Sequence, residues 1–159
     1  MRNFMKYSIR RLIFIIPVLL IPITLSAQSS DSYLQAKEEI VETFGTFLVM
    51  FDAVPEFALP SLWDNFKQMQ SHDNVIPPKY RELMQLSVAS QIPCVYCVYY
   101  HTVVAKAYGA TEEEIKEAVA HGAQTRHWSM IIQGSQVEFE DFKAELDAAL
   151  KYMSEKAGH

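Results

Sequence analysis

From Ser32 to the C-terminus, the apolar residues of this chain return every three or four positions. That spacing gathers them on one side of a helix, whereas a half-buried strand would alternate every two. No clean two-residue alternation is present, and there is no Asn-Gly or Asp-Gly hairpin turn. The expectation is an all-α chain of about six helices. Leu34, Val41, Phe44, Leu48 and Phe51 form one stripe, on a helix expected to begin near Ser32. Val54 to Met69 is a second apolar segment, where Pro60 either starts a helix or kinks one. Pro77-Pro78 opens a helix reaching about Ser90. After a short break at Gln91-Ile92-Pro93, the next helix has Pro93 in its first turn, runs to Tyr108 and stops at Gly109. Thr111 and Glu114 read as a capping box for a helix that bends or ends at Gly122. A further helical segment around Arg126 to Ile132 closes at Gly134. Ser135 and Glu138 read as a second capping box. Phe139, Phe142, Leu146, Leu150 and Met153 then form the inner face of a last helix, covering the core or a neighbouring subunit.

The N-terminus differs from the rest. Of the 14 basic residues, Arg2, Lys6, Arg10 and Arg11 lie in the first 27 positions, which hold no acid, while all 19 acids lie beyond. An apolar run from Leu12 to Leu25 follows the basic residues, then Ser26-Ala27-Gln28-Ser29-Ser30. The run is shorter than the roughly 20 residues of a membrane span. Residues 1–29 therefore read as a signal peptide with cleavage near 27–29, and residues 30–159 as one helical domain. The expectation is export, to the periplasm, with an uncleaved membrane anchor as the alternative. The acidic body is a poor partner for nucleic acid. Two cysteines exclude a disulfide scaffold, and in an oxidising compartment a close pair rests as a disulfide.

Those two cysteines carry the chemistry. In Cys94-Val95-Tyr96-Cys97-Val98-Tyr99-Tyr100-His101, the pair lies about 60° apart around a helix and His101 follows Cys97 by one turn. A thiolate is the sulfur nucleophile, and an unperturbed thiol has a pKa of about 8.5. Cys94 lies where unpaired helical N–H groups favour negative charge. Cys97 has an imidazole one turn away to take its proton. A peroxide would oxidise one sulfur to a sulfenic acid, and the other would condense with it and release water. Glu82, on the preceding helix, reads by itself as a solvated partner of that helix's start, while Leu86 and Ala89 on its face point to partial burial. A carboxylate there that reached His101 would hold one tautomer and raise the imidazole's basicity.

Glu82, Cys94-x-x-Cys97 and His101 together resemble the motif of the alkylhydroperoxidase D (AhpD) family, within the carboxymuconolactone decarboxylase-like superfamily. The stretch Tyr108-Gly109-Ala110-Thr111-Glu112-Glu113-Glu114-Ile115-Lys116-Glu117-Ala118 is similar to the segment after that family's catalytic helix. The likeness covers about Lys79 to Ala120. It implies an all-α AhpD-like fold and assembly as a homo-oligomer, trimer or hexamer. It also implies a thiol-dependent peroxidase or oxidoreductase that reduces hydroperoxides or relays electrons to a peroxiredoxin. The reductant it implies is a dithiol or a thioredoxin-like donor. In that scheme Cys97 attacks the peroxide, Cys94 resolves it, and His101 and Glu82 relay the proton. The chain departs from the peroxidase members at Tyr96, where they carry His; a phenol of pKa about 10 does not relay protons near neutrality as imidazole does.

Other readings are set beside this one. The cysteine pair could be a structural staple in a non-redox assembly module, although so short a loop restrains the unfolded chain little. Decarboxylase or lactone chemistry on the same scaffold is another class. A zinc site from Cys94, Cys97, His101 and Glu82 is chemically possible. Haem attachment is excluded because Val98 follows Cys97. No metal, flavin or nucleotide cofactor is expected, since there is no Gly-rich phosphate loop. His121 and His127 read as surface or packing residues, and Tyr96, Tyr99 and Tyr100 as packing residues. Arg126-His127-Trp128 reads as a pocket mouth or a subunit contact.

Overall fold

The computed structural model describes residues 23–92 and 94–158, with side chains from Ser30 onward. The expected signal segment lies outside them, apart from the backbone of 23–29, and so does Pro93 with its expected place in a first helical turn. The described residues form seven α-helices and no strand: α1 (Ile23–Phe44), α2 (Val49–Asp52), α3 (Leu59–Gln70), α4 (Pro78–Ala89), α5 (Val95–Ala107), α6 (Glu112–Gly134) and α7 (Phe139–Ala157). The all-α expectation holds. Among the described residues no helix is long and apolar enough to cross a membrane. The chain divides into two compact units, one ending at Met69 and the other running from Gln70 to His159.

In the first unit, α1 is already helical at the first described residue, Ile23, ahead of the start expected near Ser32, and it stops at Phe44, where Gly45 turns the chain at φ +74°. The core is Ala36, Ile40, Phe51, Leu59 and Trp63. The expected stripe is thus overturned at Leu34, Val41 and Phe44, which are exposed. The close approach is made at Ala36, whose methyl gives a weak apolar signal in sequence, and the break after Phe44 puts Leu48 and Phe51 out of phase with α1. Phe51 instead sits on the short α2, which accounts for a helix beyond the expected six. Glu39 accepts hydrogen bonds from Trp63 Nε1 and Lys67 Nζ, which ties α3 to α1.

In the second unit, α4 begins with Pro78 at its first position, as the sequence suggests, because a missing N–H costs nothing there. It buries Glu82, Leu83, Leu86 and Ala89. Arg81 is also buried, and its guanidinium donates to the carbonyls of Gln70 and Ser71. Helix α5 ends as expected: Gly109 takes φ +82°, so Ala110 N–H reaches Ala105 O and Gly109 N–H reaches Lys106 O. The Thr111–Glu114 capping box is present in both directions.

Three expectations about α6 and α7 are corrected. Helix α6 runs straight through Gly122, which is buried against α4; a Cβ there would lie 2.5 Å from Ser87 Oγ and 3.1 Å from Ser87 O. The residue is a spacer for a close helix crossing, not an end. The second capping box does not form. Ser135 is the C-cap of α6 in a right-handed helical conformation, so it cannot also start α7. Gln136 takes the left-handed turn at φ +52°, and Glu138 heads α7 without a side-chain cap. Nor does α7 have an inner face in the single chain: none of its residues is buried, and Phe139, Phe142, Leu146, Leu150 and Met153 are all exposed.

Candidate active site

The site lies within the second unit, on α4 and α5. Cys94 is the N-cap of α5 rather than a residue of its first turn, and its Sγ accepts a hydrogen bond from Cys97 N–H at 3.2 Å. Placing a sulfur at this position gives it one of the N–H groups that a helix start leaves unpaired. Cys97 lies in the first turn, and the two are joined by a disulfide with Cα atoms 5.3 Å apart. Both cysteines are partly exposed, so solvent reaches the pair.

One turn beyond Cys97, His101 points back to α4. Its Nδ1 lies 2.8 Å from Glu82 Oε2. Glu82 has no solvent exposure, and the His101 side chain has 18%. A carboxylate without water must find its partners in the protein. Here it finds the imidazole, while Oε1 meets no protein donor. The contact fixes which imidazole nitrogen faces the acid and leaves Nε2 for other proton traffic. Of the four residues singled out from sequence, two pairs are in contact: Glu82 on α4 with His101 on α5, and Cys94 with Cys97 at the head of α5, one turn before His101.

Tyr100 was missed as a neighbour of this site, having been grouped with the packing tyrosines. Its ring stands edge-on to His101 with centroids 5.1 Å apart. Burial holds its hydroxyl above the usual phenol range, and the charge on Glu82 pushes it the same way. The phenol therefore stays protonated through neutral pH and cannot serve as a base. Adjacency to His101 was its only signal in sequence. Tyr96 and Tyr99, by contrast, are not packed: they are 84% and 72% exposed. On the same helix Val95, Val98 and Val103 are exposed as well, and only Ala105 of α5 is fully buried.

A groove of about 530 Å³ opens beside Cys94, lined by Ile92, Val95, Val98, Tyr99 and Thr102. A second, of about 450 Å³, runs between the end of α4 and α6, past Gln91, Arg126 and His127. His121 and His127 are exposed. Among the described residues no group of three or more His, Cys, Asp or Glu is disposed to hold a metal ion.

The second unit is thus all-helical, with a Cys-x-x-Cys disulfide at the start of one helix and a contact between a buried Glu and a His on that same helix. The model of the carboxymuconolactone decarboxylase family matches residues 58–137, and the chain belongs to that family. The solved structures include the alkylhydroperoxidase AhpD core from Rhodospirillum rubrum. It is 22% identical, with a TM-score of 0.61 over 76% of this chain and 92% of that one, so the fold is AhpD-like. No curated protein matches the chain.

Proposed function

We propose that this chain is an exported dithiol oxidoreductase that cycles between a Cys94–Cys97 disulfide and a dithiol, reducing hydroperoxides or relaying electrons to a peroxiredoxin-type partner. The observation that carries the reading is the contact of buried Glu82 with His101, one turn from Cys97 on the helix that also bears Cys94. A structural staple needs no such pair, and a buried carboxylate is costly to keep without a role.

In the cycle, Cys97 gives its proton to His101, and its thiolate attacks the distal oxygen of the hydroperoxide. The O–O bond breaks, the alcohol leaves with a proton returned through the imidazole, and Cys97 becomes a sulfenic acid. The Cys94 thiol then displaces water from that sulfur and closes the disulfide. Two electrons from a dithiol or a thioredoxin-like donor restore the starting state. Export rests on the basic and apolar pattern of residues 1–29. A homo-oligomer, trimer or hexamer, is supported by the apolar faces that α5 and α7 leave uncovered in the single chain.

The test is peroxide consumption by the purified protein with dihydrolipoamide, comparing wild type, Cys97→Ser and His101→Ala. Loss of turnover in Cys97→Ser is expected, with a fall of about 10²-fold or more in His101→Ala. Equal rates in all three proteins sink the redox reading, and turnover of a lactone substrate that survives Cys97→Ser replaces it with the decarboxylase class.

A further inference from the structure

The two sulfurs of the disulfide do not stand in equivalent surroundings. Cys94 borders the apolar groove made by Ile92, Val95, Val98, Tyr99 and Thr102, and Cys97 does not. Cys94 Sγ also receives the Cys97 N–H at the start of α5. Cys97 lies further into the helix, on the side of His101 and its buried partner Glu82. Resting on the redox reading above, we infer that the external thiol attacks the sulfur of Cys94, so that the mixed disulfide forms on Cys94 and Cys97 is the thiol set free.

Three features favour this order. The groove gives an incoming thiolate open space next to Cys94. The helix N-terminus attracts that anion, because the unpaired N–H groups there carry partial positive charge. The hydrogen bond to Cys94 Sγ withdraws electron density from the sulfur under attack. Attack at Cys94 also places the departing charge where it can be neutralised, since Cys97 has His101 one turn away.

The electrons balance in two exchanges. In the first, the reductant's thiol gives up its proton to His101 and bonds as a thiolate to Cys94 Sγ, the Sγ–Sγ bond breaks, and Cys97 leaves as a thiolate that takes that same proton back from His101. In the second, the other thiolate of the same dithiol attacks its own sulfur partner, forming the reductant's disulfide and expelling Cys94 as a thiolate. That second leaving group is the one the Cys97 N–H stabilises. Each cysteine thus has its own charge stabiliser, used at a different step. The freed Cys97 is the thiol that next meets a peroxide, so reduction delivers the nucleophile directly to its base.

The oxidised wild-type protein tests this with a monothiol, cysteamine, added together with iodoacetamide, which captures the released thiol before the ring can close again. Peptide mass analysis then reads which residue carries cysteamine and which carries the carbamidomethyl group. The expected product has cysteamine on Cys94 and the alkyl group on Cys97, in at least tenfold excess over the reverse. An equal mixture or an excess of the reverse product overturns the assignment. A parallel sample, reduced with dithiothreitol and reoxidised with cumene hydroperoxide, separates this from failure of the cycle. A pair that opens and closes there but labels on Cys97 refutes the assignment alone, and a pair inert to both reagents refutes the redox reading with it.

Discussion

Glu82 holds Oε2 2.8 Å from Nδ1 of His101 and is itself shut off from solvent. The acid sits one residue after Arg81, whose buried guanidinium anchors the start of α4 to the carbonyls of Gln70 and Ser71. Glu82→Gln preserves the size of the side chain and removes its charge. Peroxide-driven closure of the disulfide is expected to slow by about 10- to 100-fold while the fold persists, followed by rapid-mixing fluorescence. Glu82→Ala also removes the hydrogen-bond partner of a half-buried imidazole and should cost about 1–3 kcal/mol in urea unfolding. A Glu82→Gln protein as fast as wild type removes the carboxylate from the relay.

The crossing of α4 and α6 depends on Gly122. Alanine would gain up to about 1 kcal/mol in helix propensity. Against that, its Cβ would fall 2.5 Å from Ser87 Oγ and 3.1 Å from the Ser87 carbonyl oxygen, which is backbone and cannot step aside. Overpacking of this kind costs about 1–3 kcal/mol. Gly122→Ala is therefore expected to lose about 1 kcal/mol net. Gly134→Ala, later in the same helix with nothing within 4 Å, should gain a few tenths. Urea midpoints of the two variants should move in opposite directions.

Lys79 and Glu114 link α4 to the first turn of α6 across 2.7 Å. The hydrogen bond from Lys79 holds the Glu114 carboxyl below its ordinary value of 4.5, helped by the Thr111 N–H. The same bond holds the Lys79 ammonium above 10.5. A carboxylate with a lowered folded value stabilises above its unfolded value, and that contribution is lost as pH falls through the folded value. Thermal unfolding temperature should therefore drop as pH goes from neutrality to below 4.5. Glu114→Gln should show a smaller drop over the same range, and a little stability should be lost again above 10.5 as Lys79 deprotonates. The pair is partly exposed, so the effect is modest and shrinks in high salt. Superimposable pH profiles would show the pair to be inert.

The uncovered stripe of α7 makes a prediction about assembly. Phe142, Leu146 and Leu150 are 39%, 45% and 55% exposed in the single chain. If a second copy covers them, Phe142→Glu with Leu146→Glu should reduce the mass in light scattering to that of one chain. Phe142→Ala should then approach the cost of about 3–5 kcal/mol for a buried phenylalanine. A wild-type protein that already scatters as a single chain, with Phe142→Ala nearly neutral, would leave the stripe without a partner.

Local signals were the readable part of this sequence. Pro78, Gly109 and the Thr111–Glu114 box each act within one helical turn, and each end lies where expected. The relative placement of Cys94, Cys97 and His101 was likewise legible, because it needs only the 3.6-residue repeat of one helix. The contact of Glu82 with His101 spans 19 positions and required the packing of α4 on α5. What misled was burial. Large apolar residues at Leu34, Val41, Tyr96 and Phe139 suggested inner or packed faces, yet they are exposed here. The close contacts fall instead on small residues such as Ala36, Ala105 and Gly122, which barely register in an apolar pattern. Ser135 failed as a cap because one residue cannot end a helix and begin the next.

The disulfide spans three residues at the point where α5 begins. A link this local ties no distant segments together and restrains the unfolded chain little. Under the proposed redox cycle, severing it is therefore expected to cost the folded protein little stability, so that spent and charged forms would share one frame.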